Sequence, residues 1–319
     1  MDAPVEVDTQ ATVNDSTYGD ELSTYTASLT SSALNYRHEN GRRYHAYRDG
    51  SYLLPNDETE ADRLDMIHEM MLAIMDRKLF LAPIKSPQRV IDLGTGTGIW
   101  AIDFADQYPS AEVIGCDLSP TQPSMVPPNV KFIVDDIEAE WGYNNPFDFI
   151  HARYLAVSIK DYAKLIKQCY RYAKPGGWVE FQDVDQYPTS EDGSLKGTAF
   201  EQYFNEVIGA FNKNGYVGSP GPHLEQWFRE AGFVDIHVQK YRVPMGTWPK
   251  DPYYKKIGTW MMLQGEQGYE AGAMAVLTRN ESWSREKVLE LVDKTKSDAR
   301  NRNIHALFNF YVVYGRKPE

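Results

Sequence analysis

The segment Arg89–Trp100 constrains the fold more than any other part of the sequence. It reads Arg-Val-Ile-Asp-Leu-Gly-Thr-Gly-Thr-Gly-Ile-Trp. A short apolar run ends at Asp92, three alternating glycines follow, and an apolar pattern with helical spacing begins at Ile99. This order predicts a buried parallel strand, a tight turn and a helix. The glycines would let a ligand approach the backbone and reach the free N–H groups at the start of the helix.

The glycine spacing indicates which kind of ligand the turn binds. The pattern is G-x-G-x-G and differs from the G-x-G-x-x-G of dinucleotide-binding proteins. It resembles motif I of S-adenosylmethionine (SAM) dependent methyltransferases, whose cofactor carries a cationic sulfonium that an acid at the strand end can attract. The resemblance implies a SAM site containing Asp92, Gly94, Thr95, Gly96 and Gly98. The alternative is that the glycines only allow the helix to pack closely on the strand.

Two further strands are expected to end in acids. Asp117 closes the strand after the glycine turn, where a carboxylate can accept hydrogen bonds from both ribose hydroxyls, and Leu118 follows it in the site. The alternative for Asp117 is an exposed loop carboxylate. The next strand, residues 130–134, precedes Asp135, Asp136 and Ile137. In the family that the chain resembles, an acid here receives the adenine amino group and the next residue packs on the ring. Asp136 and Ile137 match that pattern, and Asp135 is the competing acid.

A fourth strand, residues 147–153, ends with His151 and Arg153. The carboxyl ends of parallel strands face the ligand crevice, so both side chains are expected near the methyl-transfer site. His151 and His223 are the candidate catalytic bases, because histidine titrates near neutral pH. Each has a structural alternative, and His151 has the further alternative of shaping the SAM pocket.

The order of elements predicts the fold class. Strands alternate with helices up to residue 185, and two later strands, 233–239 and 307–316, are separated by helices. This pattern resembles the α/β, Rossmann-like class I methyltransferase fold. That fold implies a mostly parallel seven-stranded sheet, with the last strand antiparallel, and helices on both faces. The domain is expected to span residues 85–319, with an inserted helical cap formed by residues of about 193–215 and 251–300.

The chain before residue 85 divides into two parts. Residues 1–35 are rich in Thr, Ser, Asp and Ala and are expected to form a disordered tail. Residues 36–84 contain an aromatic and basic arm followed by a helix, for which Asp57 is the predicted N-cap and Glu60 completes a capping box.

The arm is either a surface hairpin or a lid over the methionine part of SAM. As a lid, it would place at least one of Tyr44, Tyr47 and Tyr52 against the cofactor. Tyr52 is the favoured contact because it is the nearest of them to the capped helix start. Arg48 would offer a charge-assisted hydrogen bond to the SAM carboxylate.

Composition excludes several functional classes. The 45 acidic and 33 basic residues give a net charge of −12, which argues against a nucleic-acid-binding face. No apolar run approaches the ~18 residues of a membrane span, and the acidic N-terminus is not a secretory signal, so a cytoplasmic or nuclear location is expected. Two cysteines, Cys116 and Cys169, are predicted to be buried free thiols. The histidines are scattered, and no metal site is predicted.

Several short motifs resemble a narrower family, the fungal LaeA-like methyltransferases. That family contains tailoring enzymes that methylate small natural products, and nuclear regulators of secondary metabolism that act with velvet proteins. The first hypothesis is therefore a SAM-dependent methyltransferase that O-methylates a small secondary metabolite. The alternative is a SAM-binding regulator that acts through protein partners of the velvet type. The motifs are residues 40–44, 54–58, 63–65, 81–84, 150–153 and 174–178.

Overall fold

A computed structural model describes residues 36–48, 50 and 52–319 of the chain. The predicted disordered tail, residues 1–35, lies outside the described residues. The helices are α1 (Glu58–Ile74), α2 (Ile99–Gln107), α3 (Tyr162–Tyr172), α4 (Ala199–Lys213), α5 (Leu224–Ala231), α6 (Pro252–Asn280) and α7 (Arg285–Arg300). The strands are β1 (Arg37–Glu39), β2 (Arg42–Tyr44), β3 (Arg89–Leu93), β4 (Glu112–Asp117), β5 (Val130–Val134), β6 (Phe147–Arg153), β7 (Ala173–Thr189), β8 (Val234–Pro244) and β9 (Leu307–Arg316).

Seven strands form one sheet in the order β5-β4-β3-β6-β7-β9-β8. The first five strands of this order are parallel to one another, whereas β9 pairs antiparallel with both β7 and β8. The predicted fold class and the antiparallel last strand are therefore confirmed. Because β3 lies between β4 and β6, the chain order reverses on its two sides. This is the switch point at which open α/β sheets bind ligands, beyond the carboxyl ends of the strands.

Two regions depart from regular geometry. Strand β7 begins at Ala173 and includes an irregular stretch, residues 174–177, at which its register against β6 shifts. At Gly177 an added Cβ would lie 2.9 Å from the Lys174 carbonyl oxygen, so this stretch needs glycine. The helical region 251–300 is two helices, α6 and α7, separated near Ser282, which has a φ of 58°.

The helical cap is a layer made of α1, α4, α6 and α7. These helices contact one another and share one large cluster of buried apolar and aromatic side chains. Ile67 of α1, Phe200 of α4, Met274 of α6 and Val292 of α7 belong to it. Elsewhere α2 and α3 pack against strands of the parallel sheet, and Cys116 and Cys169 are buried free thiols as predicted.

The arm is attached to the start of α1. Strands β1 and β2 form an antiparallel hairpin, and Arg42 binds both carboxylate oxygens of Asp57 at 2.6 and 2.8 Å. Asp57 is the N-cap of α1, as predicted, and its side chain accepts a hydrogen bond from the Glu60 backbone N–H at 3.1 Å. The hairpin is therefore fixed to the helix by a bidentate ion pair. Over the described ranges, no helix combines the length and apolar character needed to cross a membrane.

Candidate active site

A cavity of about 450 Å³ lies at the carboxyl ends of β3, β4 and β5, which is within the range of small-molecule sites. Its walls also include the start of α1 and the residues that follow β6. Ten of the predicted site residues line it: Tyr52, Asp92, Gly94, Thr95, Gly96, Asp117, Leu118, Asp136, Ile137 and Arg153. Gly98, His151 and His223 do not line it.

The glycine turn has a backbone that other residues rarely adopt. Gly94, Gly96 and Gly98 have φ values of 64°, 58° and 81°. A Cβ on Gly94 would lie 2.5 Å from Leu155, and one on Gly98 would lie 2.4 Å from the Phe132 ring. Gly98 is therefore needed for packing under the turn, while Gly94 and Gly96 present their backbone to the cavity.

Asp92 is held at the cavity wall by two side chains. Its Oδ2 accepts a hydrogen bond from Thr95 Oγ1 at 2.6 Å, and its Oδ1 lies 2.7 Å from His151 Nδ1. The His151 ring is fully buried and stacks on Trp100 with 3.7 Å between ring centroids and 3° between planes. Burial lowers the pKa of His151, against the opposing effect of Asp92. In this position His151 orients Asp92, and its ring does not itself line the cavity.

Asp117 joins the glycine turn to the end of β4. Its Oδ2 accepts the Gly96 N–H at 2.9 Å, and its Oδ1 accepts the Ser119 N–H at 3.0 Å. A carboxylate oxygen can accept two hydrogen bonds, so each oxygen keeps capacity for one ligand hydroxyl. Desolvation raises the pKa of Asp117 to about 6, although the backbone N–H groups oppose this shift. The geometry suits a vicinal diol such as a ribose.

The acids after β5 are arranged as a pair. Asp136 Oδ1 accepts the Glu138 N–H at 3.0 Å, and the Asp136 N–H donates to Asp135 Oδ1 at 2.8 Å. Both acids line the cavity, so both remain candidates for the adenine amino group. The carbonyl of Ile137 accepts the Trp141 indole N–H at 2.9 Å, which fixes the backbone of Ile137 at the cavity wall.

Arg153 is a partly buried cation at the cavity wall. Its Nη2 lies 2.8 Å from His68 Nδ1, and His68 Nε2 lies 3.0 Å from an oxygen of Asp103. Burial lowers the pKa of Arg153 to about 10, so the guanidinium is still charged at neutral pH. It can therefore bind a carboxylate.

The remaining predicted residues have separate environments. Of the three arm tyrosines, Tyr52 lines the cavity, and Tyr44 is buried with the Arg279 guanidinium 4.7 Å from its ring centroid. Arg48 Nε lies 3.7 Å from Asp136 Oδ2. His223 is exposed at the 3-10 turn Gly221–His223, where its nearest ring neighbour is Trp227 at 5.6 Å.

The lining of the cavity is strongly acidic. Three cations, Arg43, Arg153 and Lys160, face eight carboxylates: Asp57, Glu58, Glu60, Asp92, Asp117, Asp135, Asp136 and Glu138. Such an excess of negative charge favours a cationic ligand. A cavity with an acidic wall, an exposed glycine backbone and one partly buried guanidinium therefore fits SAM, which has a sulfonium, an ammonium and a carboxylate.

A second, smaller chamber of about 110 Å³ adjoins this cavity. Tyr52, Glu60, Leu64 and Tyr154 line both spaces and form the junction between them. The other walls are mainly aromatic and apolar residues of α4 and α6, among them Tyr203, Phe204, Val207, Met261 and Tyr269. Glu60 was predicted only as part of the capping box, and neither Glu60 nor Arg63 was predicted as a site residue. Their i, i+3 spacing on the predicted helix α1 was the available signal.

The comparisons with known proteins agree with this geometry. A family model described as a methyltransferase domain matches residues 66–238. Methyltransferase pytC of Aspergillus terreus is 44% identical, with the alignment covering 91% of each chain. The chain belongs to the LaeA- and PytC-like methyltransferases. It is a SAM-dependent methyltransferase of that type.

Other members of the LaeA- and PytC-like family have regulatory names. Secondary metabolism regulator laeA of Aspergillus flavus is 35% identical over 91% of this chain and 80% of its own length. The laeA protein of Emericella nidulans, named a protein-methionine methyltransferase, is 34% identical over 89% of this chain and 77% of its own length.

The likeness to solved structures shows the fold. A Haemonchus contortus phosphoethanolamine N-methyltransferase 2, in complex with S-adenosylhomocysteine, aligns with a TM-score of 0.50 and 24% identity. That alignment covers 82% of this chain and 58% of the other. A second structure of the same enzyme, with SAM, gives a TM-score of 0.50 at 20% identity and covers 96% and 76% of the two chains.

Proposed function

We propose that this methyltransferase O-methylates a small secondary metabolite in a fungal biosynthetic pathway. The observation that supports the proposal is the aromatic chamber that opens from the cofactor cavity at Tyr52, Glu60, Leu64 and Tyr154. A mostly apolar chamber with a few polar groups at one end is typical of sites for small organic molecules. The chain is 44% identical to PytC and 35% identical to a regulator, both over 91% of its length, so membership of the family does not by itself select the acceptor.

In this proposal each predicted residue binds a different part of the cofactor. Asp117 accepts the ribose hydroxyls, Asp136 receives the adenine amino group, and Ile137 packs on the adenine ring. Arg153 binds the carboxylate of the methionine part, and Tyr52 closes over it from the arm. SAM supplies a methyl group on a positively charged sulfur, ready for displacement. The chain aligns the acceptor with that methyl group and excludes water.

The test is product detection. The purified protein is incubated with SAM and a metabolite extract of the source fungus, and mass spectrometry searches for metabolites that gain one methyl group. Wild type should yield such a product and Gly96→Val should not, because Gly96 has a φ of 58° and faces the cavity. A wild-type protein that binds SAM but methylates no metabolite would contradict the proposal.

A second candidate function is a regulator that acts through protein partners. Relatives named secondary metabolism regulators are 34–37% identical over 88–91% of this chain. In this case the acceptor could be a protein thioether, since one relative is named a protein-methionine methyltransferase. Met125, which is 92% exposed, offers one accessible thioether on this chain. Methylated peptides, nuclear location and co-purification with a velvet-type protein, without any methylated metabolite, would favour this function.

A further inference from the structure

Glu60 lies at the junction of the cavity and the chamber and is held there rigidly. Its side chain is 2% exposed. Arg63 donates from Nε to Glu60 Oε2 at 2.8 Å and from Nη2 to Oε1 at 2.5 Å. A third bond, from Arg63 Nη1 to Gln264 Oε1 at 3.1 Å, ties the pair to α6. Each carboxylate oxygen accepts one N–H of Arg63 and can accept one more hydrogen bond. Glu60 therefore presents a fixed acceptor at the junction.

The other ionisable groups at the junction are poor proton acceptors. Tyr52 and Tyr154 line both spaces, and burial raises the pKa of each phenol, which keeps both neutral. In the part of the chain that the structure describes, no histidine lines either space. Glu60 is thus the side chain at the junction that is suited to take a proton.

Tyr154 is held at the junction by a strained backbone. Its φ is 59°, which is unfavourable for a residue with a bulky side chain. The strain is maintained by its neighbours, because the Asp183 carboxylate accepts the N–H groups of Leu155 at 3.0 Å and Ala156 at 3.2 Å. The Tyr154 N–H itself donates to the Gln182 carbonyl at 2.8 Å. Such outliers persist where the surrounding structure fixes them, often at functional sites.

The size of the chamber limits the acceptor. Its volume is about 110 Å³. An apolar cavity of roughly 150 Å³ in another protein holds benzene, so this smaller chamber takes at most one small ring, whose substituents extend through the junction into the adjoining cavity. Tyr203, Phe204 and Tyr269 supply ring faces and edges that suit an aromatic ring.

The charge of the site limits the reacting group. The Glu60–Arg63 pair is neutral overall, and the adjoining cavity has seven other carboxylates against three cations. An acceptor that carried a carboxylate would be repelled, whereas a neutral hydroxyl would donate a hydrogen bond to Glu60. These limits together describe a single-ring phenol.

We propose that Glu60 is the catalytic base that accepts the hydroxyl proton of a single-ring phenol seated in the chamber between α4 and α6. This inference rests on the proposed function. The phenol oxygen forms a bond to the methyl carbon while the sulfur–methyl bond breaks, and the bonding pair stays on sulfur as a neutral thioether. The hydroxyl proton passes to a Glu60 oxygen and then to water. Arg63 is a positioning residue that holds the carboxylate in line.

The first test measures binding. Saturation-transfer NMR, with S-adenosylhomocysteine present, compares p-cresol with benzoate, which has a similar size and a negative charge. p-Cresol should bind and benzoate should not. Ala271→Leu fills the chamber and should weaken p-cresol binding about tenfold or more. Ala273→Leu is the matched control, because Ala273 is equally buried on α6 but does not line the chamber. Equal effects of the two variants on p-cresol binding would overturn the assignment of the chamber.

The second test measures the base. Glu60→Gln should lower turnover of p-cresol by roughly a hundredfold or more, the usual contribution of a general base. The loss should be clearly smaller for 4-cyanophenol, whose hydroxyl is more acidic and needs less assistance. Glu69→Gln is the control, since Glu69 is an exposed glutamate on the same helix that lines neither the cofactor cavity nor the chamber. A merely structural role of Glu60 would lower turnover of both phenols equally, and that result would overturn the proposal.

Calorimetric titration with SAM distinguishes a failure of the proposed function from a failure of the inference about Glu60. If wild type does not bind SAM, the proposed function fails. If wild type and Glu60→Gln both bind SAM but wild type methylates neither phenol, the proposed function can stand and the inference about Glu60 is wrong.

Discussion

The pH dependence of cofactor binding should depend on Asp117. Desolvation raises the pKa of this carboxyl to about 6, and each of its oxygens already accepts one backbone N–H, from Gly96 at 2.9 Å and Ser119 at 3.0 Å. The ionised form is the one that can accept two ribose hydroxyls. Cofactor affinity should therefore be highest above this pKa and should decrease as the pH falls through it.

The size of the effect follows from the linkage between protonation and binding. With a pKa of about 6, only about one tenth of Asp117 is ionised at about pH 5, so the wild-type Kd for S-adenosylhomocysteine should be about tenfold higher than at about pH 8. Asp117→Asn replaces one carboxylate oxygen with an amide NH₂, which cannot accept a hydrogen bond from a backbone N–H or from a ribose hydroxyl. We expect a loss of about 1–3 kcal/mol, or roughly 5- to 150-fold in Kd, and a flat pH profile.

The assay is calorimetric titration of S-adenosylhomocysteine across this pH range. Asp135→Asn is the control: Asp135 lines the same cavity but has no contact with the glycine turn, so this variant should keep the wild-type pH profile. If wild type and Asp117→Asn show the same dependence on pH, Asp117 is not the group that binds the ribose in its ionised form.

Three further predictions concern the supports of the site. His151→Phe should raise the Kd for SAM, because Asp92 loses its 2.7 Å partner, and an unchanged Kd with greatly reduced turnover would instead indicate a catalytic base. Glu180 on β7 accepts the N–H groups of Leu81 and Ala82 in the segment between α1 and β3. Burial raises the pKa of Glu180 to about 7, above the ordinary value of 4.5, so its contribution to stability is fully present below about pH 4.5 and is lost as pH rises through 7. Urea unfolding of wild type should therefore show a decrease on the order of 3 kcal/mol between about pH 4 and pH 8 that Glu180→Gln lacks; parallel curves would contradict this. Hydrogen exchange of residues 36–55 should slow at saturating SAM if the arm is a lid, and unchanged protection would leave it a surface hairpin.

Much of the fold could be predicted from the sequence, because the signals for its strands and turns each lie within a few adjacent residues. The apolar run before Asp92, the alternating glycines and the acids at the ends of β4 and β5 each follow from a few adjacent residues. The antiparallel direction of β9 was implied by the resemblance to the class I methyltransferase fold. The full length of β8 was not predicted, because its extra residues, 240–244, pair with β9, which is distant in sequence.

The partners of individual side chains could not be predicted in the same way. Asp92 and His151 are 59 residues apart and meet because β3 and β6 are adjacent strands in register. The sequence placed His151 at the end of β6, but nothing local indicated that its ring would stack on Trp100 and lie behind Asp92. Likewise, Arg63 meets Gln264 across 201 residues, because α1 packs on α6.

The division between acidic cavity and nearly neutral chamber explains how one site can serve two ligands of different charge. The carboxylates gather at the strand ends and at the first turn of α1, where a cationic cofactor gains from every one of them. Beyond the junction the walls come from α4 and α6 and are mainly aromatic, so an acceptor there gains from contact area rather than charge. Glu60 belongs to both regions, and Arg63 cancels its charge toward the chamber while leaving its oxygens able to accept a proton. A change of acceptor among relatives would therefore require changes on α4 and α6, with the acids of the cofactor cavity retained.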